Sequence, residues 1–231
     1  MPELDASPAD QPGRKGLHAP DEPGYGFVLV ILLALYVVVS VSDRVWLQPI
    51  LFALAAVALA IAVLPERIDR RWWLLATAFV VVAFVISVLV AVWPNGWRVG
   101  LVDIAIAILM LSTGFMLIKR FIARSIITPA TVFGAIDVYL VIGLAFSFLF
   151  HGMQSWNGDP FFRSSIEGTR NTFTYFSFVS LTTLGYGDLT PASDGGRSVA
   201  VVEVLVGQIL LITVIARLVS LMRFPRTPTD P

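Results

Sequence analysis

The residues with the clearest capacity for chemistry lie together at Thr182-Thr183-Leu184-Gly185-Tyr186-Gly187-Asp188. Glycine reaches backbone angles closed to other residues, so a Gly-x-Gly segment can aim successive carbonyls the same way. Carbonyl oxygens ringed about an axis can replace the water shell of a dehydrated cation. A Gly-Tyr-Gly alone reads as a loop or hairpin turn. Here it follows a Thr pair, ends in an acid, and lies between two apolar stretches. One is a short aromatic-rich run from Thr172 to Leu181, the other a long apolar run from Arg197 to Met222.

The elements that must position this segment are apolar throughout. With 57% hydrophobic residues and a mean hydropathy of +0.82 over 231 residues, the chain is too apolar for a soluble domain. Net charge is zero, which implies no pull on nucleic acid. There are no cysteines, hence neither disulfides nor thiolate metal sites. His18 and His151 fall in separate polar segments and read as solvated loop residues. No metal cluster, nucleophile–base pair or phosphate loop is present, so the chain does not read as an enzyme.

Six spans follow a polar start. Met1 to Glu22, rich in Pro, Asp, Gly and Ala, lacks the short apolar core of a signal peptide and reads as a disordered cytoplasmic tail. The spans are Phe27–Val41, Val45–Leu64, Trp72–Trp93, Val99–Ile118, Thr131–Phe150 and Arg197–Met222. Most approach the roughly 20 residues that ~30 Å of hydrocarbon requires. Arg14, Lys15, Arg67, Arg70, Arg71, Lys119, Arg120, Arg124, Arg223 and Arg226 share one side. Only Arg44, Arg98, Arg163, Arg170 and Arg197 face the other. The positive-inside rule makes both termini cytoplasmic and turns the loop holding residues 182–188 outward.

Helix, glycine-rich loop and spanning helix is the arrangement a potassium-selective pore needs. The segment resembles the filter of the potassium-channel family, whose signature reads Thr-Val-Gly-Tyr-Gly-Asp; only Leu184 departs from it. The resemblance is specific over Asn171 to Ser220 and only topological before that. It implies an all-α membrane protein of six transmembrane helices, with a re-entrant pore helix and filter loop. Four copies would close one homotetrameric channel in the plasma membrane among lipids, passing potassium ions without an organic cofactor. It further implies that the carbonyls of Thr183, Leu184, Gly185 and Tyr186, with the Thr183 hydroxyl, line the ion sites beside Gly187. Asp188 would sit at the outer mouth, bonded toward the pore helix. Tyr175 and Phe176 would pack against Tyr186. Val179 stands where some bacterial relatives carry a buttressing glutamate. Gly207 falls on the family's hinge position, where the alternative is close helix packing. Gln208, Leu211 and Ile215 fall on cavity-lining positions.

Six spans also resemble the voltage-gated plan, but a voltage sensor carries a basic residue at every third position of its fourth span. Each charge crossing the field is worth ~2.3 kcal/mol per 100 mV. Val99 to Ile118 holds no basic residue and one acid, Asp103. The expected organisation is therefore a tail (1–24), a four-helix non-voltage-sensing bundle (25–118), an interfacial linker helix (119–128), a pore domain (129–222) and a short tail (223–231). The linker either couples bundle to gate or anchors the chain to the membrane. Thr128-Pro129 would cap and open the fifth helix, and Thr169 or Asn171 would cap the pore helix. His151 to Gly168 reads as an outer turret.

Charges inside spans are expensive. Glu203 lies six residues past Arg197, about 9 Å along a helix. It either replaces the missing buttress, accepting from Ser180 or Thr182, or faces a water-filled crevice. Asp103 reads as an acid near the outer interface. Asp137 and Arg217 fall at similar depth on the fifth and sixth spans and could pair; alternatively Arg217 snorkels to headgroups and Asp137 finds a hydroxyl or Arg124. Two other functions remain open here: a proton- or cation-coupled transporter relaying through Asp103, Asp137 and Glu203, and a weakly selective cation channel.

Overall fold

The computed structural model describes residues 25–63, 70–123, 129–166 and 168–221. Seven α-helices run in the order α1 (Tyr25–Val41), α2 (Gln48–Val63), α3 (Arg70–Val92), α4 (Gly96–Ala123), α5 (Pro129–Asn157), α6 (Arg170–Leu181) and α7 (Asp194–Leu221). A 3-10 turn at Val45–Leu47 leads into α2. Among the described residues there is no strand, only one antiparallel bridge from Phe162 to Pro191.

Each apolar run becomes a helix because its backbone groups are then satisfied within the segment, which hydrocarbon demands. Local chemistry ends the runs. Pro94 and Asn95 separate α3 from α4, and Pro129 occupies the first position of α5, where its missing N–H is no loss. Gly158, at φ +77°, closes α5 by donating its N–H to Gln154 O at 2.9 Å. Four segments are long and apolar enough to cross a membrane: Val45–Val63, Gly96–Ile122, Val132–Asn157 and Asp194–Arg217. The other two expected spans fall on α1, an apolar helix of 17 residues, and on α3, whose apolar part includes Ala76–Val92.

The core follows helical stripes. On α1 the buried residues are Tyr25, Val28, Leu32, Leu35 and Val39, and among the described side chains of α3 only Ala83, Ser87 and Val90 are buried. α3 therefore lies at the periphery, against α2 and α4. α4 and α5 make the most extensive packing in the chain. The start of α4 and the end of α5 touch backbone to backbone. A Cβ on Gly100 would stand 2.9 Å from Gly152 O, and one on Gly96 would stand 3.1 Å from Ser155 O.

Two expected boundaries move. α5 continues through His151 to Asn157, so the first part of the supposed turret is helix, and His151 is buried rather than solvated. α4 likewise continues through Lys119 to Ala123, where a separate linker helix was expected. The rest of that linker, Thr128 and both terminal tails lie outside the described residues.

Candidate functional site

Thr182 caps the C-terminus of α6, and its N–H returns to Phe178 O. The chain then leaves the helix with its amides still tied to it. Thr183 N–H donates to Ser180 O at 2.9 Å, Leu184 N–H to Val179 O at 3.0 Å, and Gly185 N–H to Val179 O at 3.3 Å. Backbone φ turns positive at every second residue: +59° at Thr183, +55° at Gly185 and +79° at Gly187. Left-handed geometry suits glycine at the last two positions and costs a β-branched residue such as Thr183 of order 1–3 kcal/mol. Among the described residues, no hydrogen bond is accepted by the carbonyls of Thr183 to Gly187. Thr183 Oγ1 donates to Thr182 O at 2.7 Å, which keeps the hydroxyl oxygen available as an acceptor. Leu184 and Tyr186 are exposed in the single chain.

α6 holds this segment from behind. Thr169 is its cap, accepting Thr172 N–H at 3.2 Å. Tyr175 stacks on Tyr186, with rings 4° from parallel and centroids 6.4 Å apart, and donates its hydroxyl to Asp188 Oδ2 at 2.9 Å. Phe176 does not join them. It is buried among Phe150, Phe161 and Phe162, because neighbouring residues on a helix point about 100° apart. α5 braces the other flank. Ser147 Oγ and Thr174 Oγ1 are 3.1 Å apart, Ser177 Oγ donates to Gly143 O at 2.6 Å, and Tyr139 Oη donates to Leu181 O at 3.3 Å.

Glu203 is fully buried against α6, but its partner is Ser177, whose hydroxyl lies 2.5 Å from Oε1. The expected partners are turned elsewhere, Thr182 Oγ1 to Phe178 O at 2.7 Å. Register explains the difference. α6 and α7 pack in parallel at the four-residue helical repeat, so Ser177 meets Glu203 and Leu181 meets Gly207, leaving Ser180 off that face. A Cβ on Gly207 would run into the Leu181 side chain, so close packing is realised there within an unbroken α7. Beyond it Gln208 is half-buried, and Leu211 and Ile215 are exposed within the single chain.

The ion pair expected between Asp137 and Arg217 is not formed. Both Asp137 oxygens are buried without a hydrogen-bond partner among the described residues. Arg217 instead donates to Ile122 O at 2.7 Å and lies over the Phe121 ring. The last carbonyls of α4 have no acceptor role within their own helix, so they attract a donor that depth alone assigned to Asp137.

Asp103 is no interfacial acid. It is fully buried, 2.5 Å from His151 Nδ1, 3.2 Å from Gln48 Nε2 and 3.5 Å from Arg170 Nη2. Sequence reading missed this cluster, whose members come from α2, α4, α5 and the first residue of α6. The signal it passed over was Gly96-Trp97-Arg98-Val99-Gly100, small residues one turn apart that let α4 and α5 approach closely. Asp103, Asp137 and Glu203 thus meet separate surroundings, and among the described residues no hydrogen bond or ion pair joins any two of them.

α6, the loop that follows it and the apolar α7 fall within the part of the chain that is similar to a known family. Residues 134–224 match the ion channel family. The matched segment runs from the first turns of α5 past the end of α7 and takes in α6 and the whole of 182–188. The helices of residues 25–133 lie outside it. No curated protein and no solved structure matches the chain. With four helices long and apolar enough to cross a membrane among the described residues, the chain has the make-up of a helical membrane protein, and over 134–224 it is similar to the ion channel family.

Proposed function

We propose that the chain is a potassium-selective channel, conducting passively across the plasma membrane as a homotetramer. The observation that carries this reading is the geometry of residues 183–187: alternating backbone hand, amides tied back to α6, and carbonyls that accept nothing within the chain. Oxygens so freed are the ligands a dehydrated potassium ion requires. One copy supplies a single wall, so four are needed to surround an ion. The potassium sites would be formed by the carbonyls of Thr183, Leu184, Gly185 and Tyr186 with the Thr183 hydroxyl. Asp188 would hold the outer mouth through Tyr175, and Glu203 would brace the pore helix through Ser177.

The exposure of the apolar α7 supports assembly. Only 17% of its membrane window is buried within one chain. Its remaining faces would meet other copies and lipid, with Gln208, Leu211 and Ile215 toward the cavity and Gly207 as a packing point or hinge. In this reading α1 and α3 also span, giving six spans with both termini cytoplasmic and residues 182–188 near the outer face. α1 to α4 serve as a structural bundle without voltage sensing, because Val99 to Ile118 carries no basic residue.

A flux assay tests the proposal. Vesicles loaded with potassium and diluted into sodium develop an inside-negative potential if the protein passes potassium and excludes sodium. A proton uncoupler then lets protons enter, which a pH dye records. Equal flux when sodium is loaded instead would replace this reading with that of a weakly selective channel.

A further inference from the structure

The amino terminus of α6 is held by a residue 127 positions earlier in the chain. Arg170 N–H, one of the first-turn donors that no helix satisfies internally, donates to Asp43 Oδ1 at 2.9 Å. Arg170 Nη1 also donates to Asp43 O at 3.4 Å and lies 3.8 Å from Oδ1. Asp43 sits in the turn between α1 and the 3-10 segment that opens α2, with its side chain 45% exposed. The other side of the Arg170 guanidinium faces Asp103 at 3.5 Å, itself fixed by Gln48 and His151. Three parts of the α1–α4 bundle (the turn holding Asp43, α2 and α4) and α5 therefore converge on one helical turn.

That turn is the far end of the helix whose last carbonyls, on Val179 and Ser180, receive the amides of residues 183–185. α6 has only 12 residues, about 18 Å of rigid rod at helical rise. A displacement at its amino end is carried to its carboxyl end and to the amides bonded there. Thr169 caps the same turn, but through a different donor, Thr172 N–H. The two acceptors are complementary, and a carboxylate at this end is also favoured by the helix dipole.

We propose that Asp43 is a positioning residue for the conducting segment, through which the bundle sets the register of α6 and so of residues 183–187. The proposal rests on the channel reading of those residues. It makes a second use of the bundle beyond embedding the chain: a clamp on the pore from a loop at the outer surface. Because Asp43 is half-exposed and lies in a turn, replacing it leaves the helix cores untouched.

The test compares wild type, Asp43→Ala and Asp43→Asn as full-length protein in phosphatidylcholine–phosphatidylglycerol vesicles. Amide hydrogen exchange is read at residues 170–173 and 183–185, and current at constant voltage is followed over time. Asp43→Ala removes the acceptor, and exchange is expected to rise about fivefold at both places. Asp43→Asn keeps an acceptor oxygen and is expected to stay close to wild type. Current through Asp43→Ala should also decay faster, and raised external potassium should slow the decay, because ions bound by the carbonyls favour the ordered segment by mass action. A merely structural role would not produce this potassium dependence. The proposal is overturned if exchange at 183–185 is unchanged in Asp43→Ala, if Asp43→Asn is as damaged as Asp43→Ala, or if the decay is indifferent to potassium. Absence of potassium current from wild type would overturn the channel reading instead, while the exchange comparison would still decide whether Asp43 positions 183–185.

Discussion

At Gly185 and Gly187 nothing lies within 4 Å of where a Cβ would stand in the chain, so the demand for glycine is set by the backbone alone. An L-residue at φ +55° or +79° costs roughly 1–2 kcal/mol per chain. Gly185→Ala and Gly187→Ala should therefore abolish potassium-selective flux while leaving helix content by circular dichroism unchanged. Wild-type selectivity in either variant would separate these residues from ion coordination. Gly207 makes the opposite demand, since space there is filled by Leu181. Gly207→Ala should lower thermal stability by roughly 1–3 kcal/mol through overpacking. The double variant with Leu181→Ala should recover much of that loss, which a pure hinge role would not allow. For Glu203, the Gln variant keeps a hydrogen-bonding partner for Ser177, whether Ser177 gives or receives the hydrogen, and should be mild. The Val variant should destabilise the segment and hasten the loss of current. Identical behaviour of the two would assign the acid another role.

Elements are where sequence and structure agree most and also where they part. Apolar runs became helices because a membrane leaves the backbone no alternative, and of the two caps the sequence offered for α6, Thr169 and Asn171, the structure uses Thr169. Thr169→Ala should cost ~1 kcal/mol, and Thr169→Ser should restore it, measured as exchange protection at Thr172. The C-terminal end of α5 was misjudged because His151-Gly152-Met153-Gln154-Ser155 is polar by composition. Its burial depends on Gly100 and Gly152, which bring α4 close enough for Asp103 to reach His151, and on Gln154, which donates to Gly168 O at 3.0 Å. Such partners are 48 and 14 residues apart, beyond the reach of periodicity. Asp137 and Arg217 failed for a related reason. Matching depth does not fix which way two side chains turn, and Arg217 had a carbonyl at Ile122 to satisfy. α4 itself carries a functional expectation. Without basic residues from Val99 to Ile118, conductance should vary only weakly between about −100 and +100 mV. A curve equivalent to several gating charges would contradict a structural role for the bundle.

At the scale of the whole molecule, the proposed channel needs more than one chain. Leu184 and Tyr186 are 56% and 66% exposed, and only 17% of the membrane window of α7 is buried within the chain. The motif at 182–188 was legible from sequence because its chemistry is carried by the backbone of seven consecutive residues. The brace around it was not, because Ser177, Asp43 and Asp103 act only through neighbours brought by folding. The central claim is that the free carbonyls of Thr183 to Tyr186 select potassium. It is tested most directly by the reversal potential of the purified protein in a planar bilayer, with a tenfold potassium gradient balanced by sodium. A potassium-selective pore reverses at about 59 mV, toward the potassium equilibrium potential. Reversal near zero, with sodium carrying current as readily as potassium, would contradict the claim.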